Sequence, residues 1–142
     1  LEFVLKNRPM LMPSVENHVG PYQGCDSRWV GLDGELSDGA YFVAVTFYLA
    51  LVSAVCIKLT ACRGHAIVEG PFADNTLYKN MLSVAIGQPV ASASGTGTSL
   101  GAALLTLAEA AKNLGEVHAS SVTNSQYQAY ANAWMALAEQ AR

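Results

Sequence analysis

Three groups of residues have types and spacing that bear on chemistry. The first is Ser94-Gly95-Thr96-Gly97-Thr98-Ser99-Leu100-Gly101. A glycine loop between a strand and a helix offers backbone N–H groups and a helix dipole to an anion. The glycine spacing is G-x-G-x-x-x-G, which is not the dinucleotide fingerprint, and no Lys follows as a Walker A loop requires. The plainer reading is a glycine loop with a Thr98 or Ser99 cap, in which Gly101 allows close packing of helix on strand. The second group is the three histidines, His18, His65 and His118, which lie far apart with no ligand spacing between them. No metal site is expected from them. The third is the acidic set Asp26, Asp33, Glu35 and Asp38, which reads as solvated loop carboxylates. No G-x-S-x-G or comparable nucleophile context occurs.

The elements that would position these residues are read from periodicity. Residues 1–37 form a loop-rich lead-in, broken by Pro9, Pro13 and Pro21 and punctuated by glycines. Phe3-Val4-Leu5 and Trp29-Val30 are candidate brief strands within it. Residues 38–62 are expected to form a buried helix. Its stretch from Ala40 to Ile57 carries no charged residue, which is long enough for a transmembrane span to be weighed. Tyr41, Thr46, Tyr48 and Ser53 make it only moderately lipophilic, and Asp38 and Lys58 flank it without a basic cluster. Thr46, Ser53 and Thr60 recur every seven residues as a narrow polar stripe. The favoured reading is the core helix of a soluble protein, packed on a sheet.

Residues 65–115 read as two strand–helix units. Ala66-Ile67-Val68 is a short strand, and Ala73 to Ile86 a helix with Leu77, Met81, Leu82 and Ala85 on one face. Gly87 and Pro89 stop it. Val90 to Ala93 is a second strand, and Leu100 to Leu114 a second helix. This order implies crossover connections and parallel pairing. Val117 to Gln126 is a polar connection, and residues 126–142 hold a terminal helix with Tyr127, Tyr130, Trp134 and Leu137 on one side.

Composition sets limits on the whole. The chain has 142 residues, enough for one domain. Apolar residues make up 51% and charged residues only 13%, against about 25% in an ordinary soluble domain. The net charge of −3 and the apolar content exclude a disordered chain. The eight Lys and Arg are scattered, so no phosphate-following stripe of a nucleic-acid module is present. Cys25, Cys56 and Cys62 show no C-x-x-C and are expected to be reduced and buried, as in the cytoplasm. No signal-peptide pattern opens the chain. The Leu at position 1, the low charge and a two-strand parallel unit together lead us to expect a piece of a larger protein.

One stretch is more specific. Val68-Glu69-Gly70-Pro71-Phe72-Ala73-Asp74-Asn75-Thr76-Leu77-Tyr78-Lys79-Asn80-Met81-Leu82, then Gly87-Gln88-Pro89-Val90, then Leu100-Gly101-Ala102-Ala103-Leu104, resembles the C-terminal domain of the FGGY carbohydrate kinases. This is the xylulokinase, fuculokinase and glycerol kinase group. Order and spacing match over about Tyr41 to Ala111, and the Pro-rich start resembles the loop region before the long helix. The resemblance implies an α/β fold: part of an actin-like, ribonuclease-H-like ATPase domain, with an incomplete parallel sheet flanked by helices. It implies an ATP-dependent sugar kinase that uses ATP and Mg²⁺, with the sugar held mainly by an N-terminal domain outside this chain. The Asp base and both phosphate loops lie upstream in the family, so no catalytic residue is assigned here, and the chain alone is expected to be inactive.

The resemblance places a nucleoside-binding turn at Gly70, Pro71, Phe72, Ala73 and Asn75. Two positions that are glycine in the family are Pro71 and Phe72 here. Pro removes an N–H and fixes φ, and Phe either stacks on a base or plugs the turn. Three readings follow: a portion of a sugar kinase covered by the rest of the kinase or another protomer, a non-catalytic binding or assembly module that keeps the fold, and a small membrane protein spanning at Ala40 to Ile57.

Overall fold

The structure is a computed structural model and describes residues 1–61, 64–93, 118–120 and 124–140. The expected helix at Leu100 to Leu114, the Ser94–Gly101 loop and Cys62 lie outside the described residues.

The chain opens with α1, Glu2–Asn7. Phe3-Val4-Leu5 is therefore helical and not a strand. Val4 and Leu5 are both buried, which neighbours in a strand, pointing to opposite faces, could not both achieve against one core. Arg8 ends the helix at φ 53, its N–H bonded to Val4 O, and Pro9 follows. Two short strands come next, β1 (Met10–Met12) and β2 (Arg28–Val30), paired antiparallel with Leu11 opposite Trp29. Gly31 then turns back at φ +68, and a Cβ there would sit 2.6 Å from Arg8 O. Only glycine fits that approach.

The long helix α2 spans Asp38–Leu59, with Ser37 Oγ accepting from Ala40 N as its cap. It is long and apolar enough to cross a membrane by length and composition, and just over half of its most apolar window is buried inside the protein. Its main neighbours are α3 (Thr76–Ile86), β1, α1 and α4 (Ser125–Glu139). It is not apolar and buried on every side. Tyr41, Phe42 and Leu49 are exposed. Nor is the seven-residue stripe one environment: Thr46 is buried, Ser53 half-buried, and Thr60 exposed at the C-cap. Each hydroxyl toward the end of the stripe is used locally, Ser53 Oγ donating to Leu49 O and Thr60 Oγ1 to Ile57 O.

A second sheet has the order β3 (Ala66–Val68), β4 (Val90–Ser92), β5 (His118–Ser120). β3 and β4 run parallel, joined through α3. β5 lies antiparallel to β4, Ala91 opposite Ala119, where the sequence suggested only a polar connection. Three residues give no period to read. Helix α3 starts at Thr76, three residues later than Ala73, because Gly70–Phe72 form a 3₁₀ turn and Asn75 is the cap. It ends at Gly87, φ 70, where Gly87 N and Gln88 N both bond Ser83 O.

The core is aromatic at its centre. Phe47 of α2 sits between Tyr127 and Tyr130 of α4, at centroid distances of 5.2 and 5.1 Å. Trp134 is fully buried and meets Tyr22 and Tyr48 edge-on. Tyr130 OH donates to Pro9 O, and Trp134 Nε1 donates to Leu11 O, each at 2.8 Å. The expected terminal helix thus presents Tyr127, Tyr130 and Trp134 to the core as its spacing required, with Leu137 half-buried beside them.

Burial pushes the phenol of Tyr130 above its ordinary 10.0. It does the same to Tyr127, partly offset by a hydrogen bond with the Asn80 side chain. Below pH 10.0 both states hold the proton and the stabilisation is complete. Above it the unfolded chain ionises first, so stability falls as pH rises. We expect Tyr130→Phe to cost about 1–3 kcal/mol in urea unfolding at pH 7, from the unpaired Pro9 carbonyl. The same variant should lose less stability than the wild type when the titration is repeated at alkaline pH.

Candidate functional site

The turn from Gly70 to Asn75 sits at the carboxyl end of β3, where the chain leaves the sheet to enter α3. In open α/β sheets this is the end at which ligands bind. Gly70 takes φ +71, and a Cβ on it would meet nothing within 4 Å. The backbone there is bare and open. Pro71 occupies the first turn of the 3₁₀ segment, where a missing N–H costs nothing. Phe72 is 38% exposed. Its ring leans on Tyr78, with centroids 4.9 Å apart and planes at 46°. Ala73 is buried and its N–H closes the turn onto Gly70 O.

Asn75 has a role that its sequence context concealed. Its Oδ1 accepts from Tyr78 N at 3.0 Å, capping α3. The signal was present: Asn directly before an apolar-periodic run is an N-cap pattern. Placing the helix start at Ala73 hid it.

Tyr78 ties the turn to the rest of the fold. Its OH donates to Ser53 Oγ at 2.8 Å, and Ser53 Oγ donates to Leu49 O at 2.9 Å. Beside this chain of bonds lies a groove of about 390 Å³ between α2, β3 and α3. Phe72, Tyr78 and Ser53 line one part of it, and Ile57, Leu82 and Ile86 another. The structure therefore brings Phe72 and Asn75 together through Tyr78 and leaves Gly70 and Pro71 on the outer surface.

The remaining chemistry-bearing residues do not converge. His18 lies in the loop between β1 and β2, His65 just before β3, and His118 opens β5. Among the described residues, no three His, Cys, Asp or Glu side chains come together to hold a metal ion. Cys25 is half-buried, but Cys56 is exposed on α2, contrary to the expectation that the cysteines are buried.

The family model of the carbohydrate kinase FGGY C-terminal domain matches residues 1–116. The chain belongs to the FGGY carbohydrate kinases. The match takes in the loop-rich lead-in as well as the long helix. The crystal structure of a carbohydrate kinase from Novosphingobium aromaticivorans superposes with a TM-score of 0.81 at 25% identity. That superposition covers 97% of this chain and 29% of the kinase, so the chain spans less than a third of that protein's length. No match was found among curated proteins. The α/β architecture, with its small sheet flanked by helices, is that of the actin-like fold of this FGGY domain.

We expect Asn75→Ala to cost about 1 kcal/mol of stability through loss of the α3 cap. Asn75→Asp should cost far less, since Asp caps equally well. Thermal denaturation of the two variants side by side checks this.

Proposed function

We propose that this chain supplies the nucleoside side of the ATP site in an ATP-dependent sugar kinase, in which the γ-phosphoryl of ATP passes to a hydroxyl of a sugar or polyol. The observation that carries this reading is the open Gly70–Phe72 turn at the carboxyl end of β3, with an exposed ring and an amide side chain beside it. Membership in the FGGY family supports it.

In this reading the residues bind and orient; they do not react. Gly70 lets a flat ligand approach the backbone. The open face of Phe72 takes the base by stacking. Pro71 contributes surface and no hydrogen bond. Asn75 keeps its carbonyl on the α3 cap and turns its amide N–H groups to an acceptor on the purine edge. Family membership also implies Mg²⁺, and the described residues offer no convergent set of ligands for it. The ion, the phosphate loops, the Asp base and the sugar's principal contacts are assigned to the rest of the kinase, which also covers the exposed Ile67 of β3. Phosphoryl transfer depends mostly on positioning and charge stabilisation, and this chain's share is positioning. Alone it should show no sugar-dependent ATP consumption in an assay of ADP release. In this reading the protein works in the cytoplasm and is recovered in the soluble fraction, a reading supported by the packing of α2 against α3 and α4.

A second reading, a non-catalytic binding or assembly module, is favoured by Pro71 and by the contact that draws Phe72 onto Tyr78. Calorimetry with ATP on the complete kinase separates the two. Phe72→Ala should weaken ATP binding by roughly 1–3 kcal/mol if the ring stacks on the base. Asn75→Asp preserves the cap while removing the amide donors, and should cost about 0.5–1.5 kcal/mol of ATP affinity at unchanged stability. Sugar affinity should hold in both. Unchanged ATP affinity in both variants would remove the turn from the site and leave the module reading.

A further inference from the structure

Tyr78 is anchored at both ends. Its backbone lies in the first turn of α3, and its OH donates to Ser53 Oγ on α2 at 2.8 Å. Ser53 Oγ is held in turn, donating to Leu49 O at 2.9 Å. Tyrosine has few side-chain torsions, so two such anchors set the plane of its ring. Phe72 is placed differently. It stands in a short 3₁₀ turn behind Gly70, largely on the surface. Among the described residues its ring meets one other ring, that of Tyr78. Phe72, Tyr78 and Ser53 all border the groove between α2, β3 and α3. Tyr78 is therefore the wall against which Phe72 rests, and a bond to a different helix holds that wall.

Immobilising a side chain takes away part of a ligand's affinity, and a side chain ordered beforehand spares that loss. The Tyr78 contact occupies part of the Phe72 ring, and the part left exposed is what a ligand meets. The Tyr78 hydroxyl is not what builds α3. Asn75 Oδ1 caps that helix through the backbone N–H of Tyr78, a bond that any side chain at position 78 leaves in place. Ser53 keeps its own bond to Leu49 O without Tyr78. α2 and α3 also pack on each other through apolar side chains. What the hydroxyl adds is the position of the Tyr78 ring and, through it, of Phe72.

We propose that Tyr78 is a positioning residue of the nucleotide site: its bond to Ser53 on α2 orders the Phe72 ring in advance, and ATP affinity depends on that bond through Phe72. This rests on the reading that the Gly70–Asn75 turn takes the nucleoside.

The test is calorimetry with ATP and steady-state kinetics on the complete kinase. Tyr78→Phe and Ser53→Ala each remove the bond. Each should weaken ATP binding by about twofold to tenfold, the effect of ordering one side chain. Turnover at saturating ATP and sugar should stay at the wild-type value. The double variant should bind ATP no worse than either single one, because both changes remove the same bond. Ser53→Thr retains the hydroxyl and should bind ATP as the wild type does. On a Phe72→Ala background, Tyr78→Phe should have no further effect on ATP affinity. A merely structural role for Tyr78 would lower the melting temperature and leave the ATP affinity of the folded kinase unchanged. Wild-type affinity in Tyr78→Phe and Ser53→Ala, with weakened binding in Phe72→Ala, would overturn the proposal and leave the nucleoside reading standing. An undiminished effect of Tyr78→Phe on the Phe72→Ala background would do the same. Wild-type affinity in Phe72→Ala and Asn75→Asp would overturn both.

Discussion

The fold depends on two backbone carbonyls, those of Pro9 and Leu11. β1 has β2 along one edge, and no strand lies along the other among the described residues. A buried carbonyl without a donor costs free energy comparable to a lost hydrogen bond. Helix α4 supplies both donors, Tyr130 OH and Trp134 Nε1, from 121 and 123 residues away in sequence. The bonds are directional, so they fix the rotation of α4 about its axis as well as its distance. With α4 held, Tyr127 and Tyr130 form the surface on which Phe47 packs, and α2 is thereby set. The hydrophobic effect alone would bury the same rings in several orientations, since it carries no direction.

From α2 the constraint passes outward to the ligand-facing turn. Leu49 O, Ser53 Oγ and Tyr78 OH form a short chain of hydrogen bonds from α2 to α3. Tyr78 then meets the turn twice, its ring against Phe72 and its N–H on Asn75 Oδ1. Functional groups need supporting neighbours to hold their orientation. Here the support is a hydroxyl, a ring and a cap converging on one residue. Ser53, half-buried in a largely apolar helix, has its physical reason in this relay and not in a polar stripe.

The parts that could be read from sequence were those with enough residues to show a period. α2, α3 and α4, and the strands at Ala66 and Val90, all announced themselves by apolar runs or by three- and four-residue spacing. α1 has six residues, and β1 and β5 three each. Such lengths cannot separate a helical from an alternating pattern. What fixes them lies outside any period: Arg8 and Pro9 close α1 locally, α4 donates to the backbone at β1, and β4 pairs with β5. The turn at Gly70–Asn75 was reached through resemblance, because its glycine and amide carry no distinctive spacing of their own. The contact between the rings of Trp29 in β2 and Tyr41 in α2, with centroids 5.7 Å apart, could not be reached from spacing at all. The rings belong to a strand and a helix, and only the turn between them brings the two together.

The low charge of the chain acquires a structural meaning from α2. A helix apolar over most of its circumference needs neighbours on most sides, and α1, β1, α3 and α4 supply them. What they leave open is not uniform. Tyr41 and Phe42 stand at its amino end, while Ser53 and Ile57 border the groove toward its carboxyl end. Tyr41 and Ser53 are separated by about 18 Å along a straight helix, from the rise of ~1.5 Å per residue. A continuous hydrogen-bonded helix holds that spacing without adjustable parts. The spacing of these two ends is thus set by α2 itself, while the bonds of α4 to the Pro9 and Leu11 carbonyls set where α2 sits as a whole.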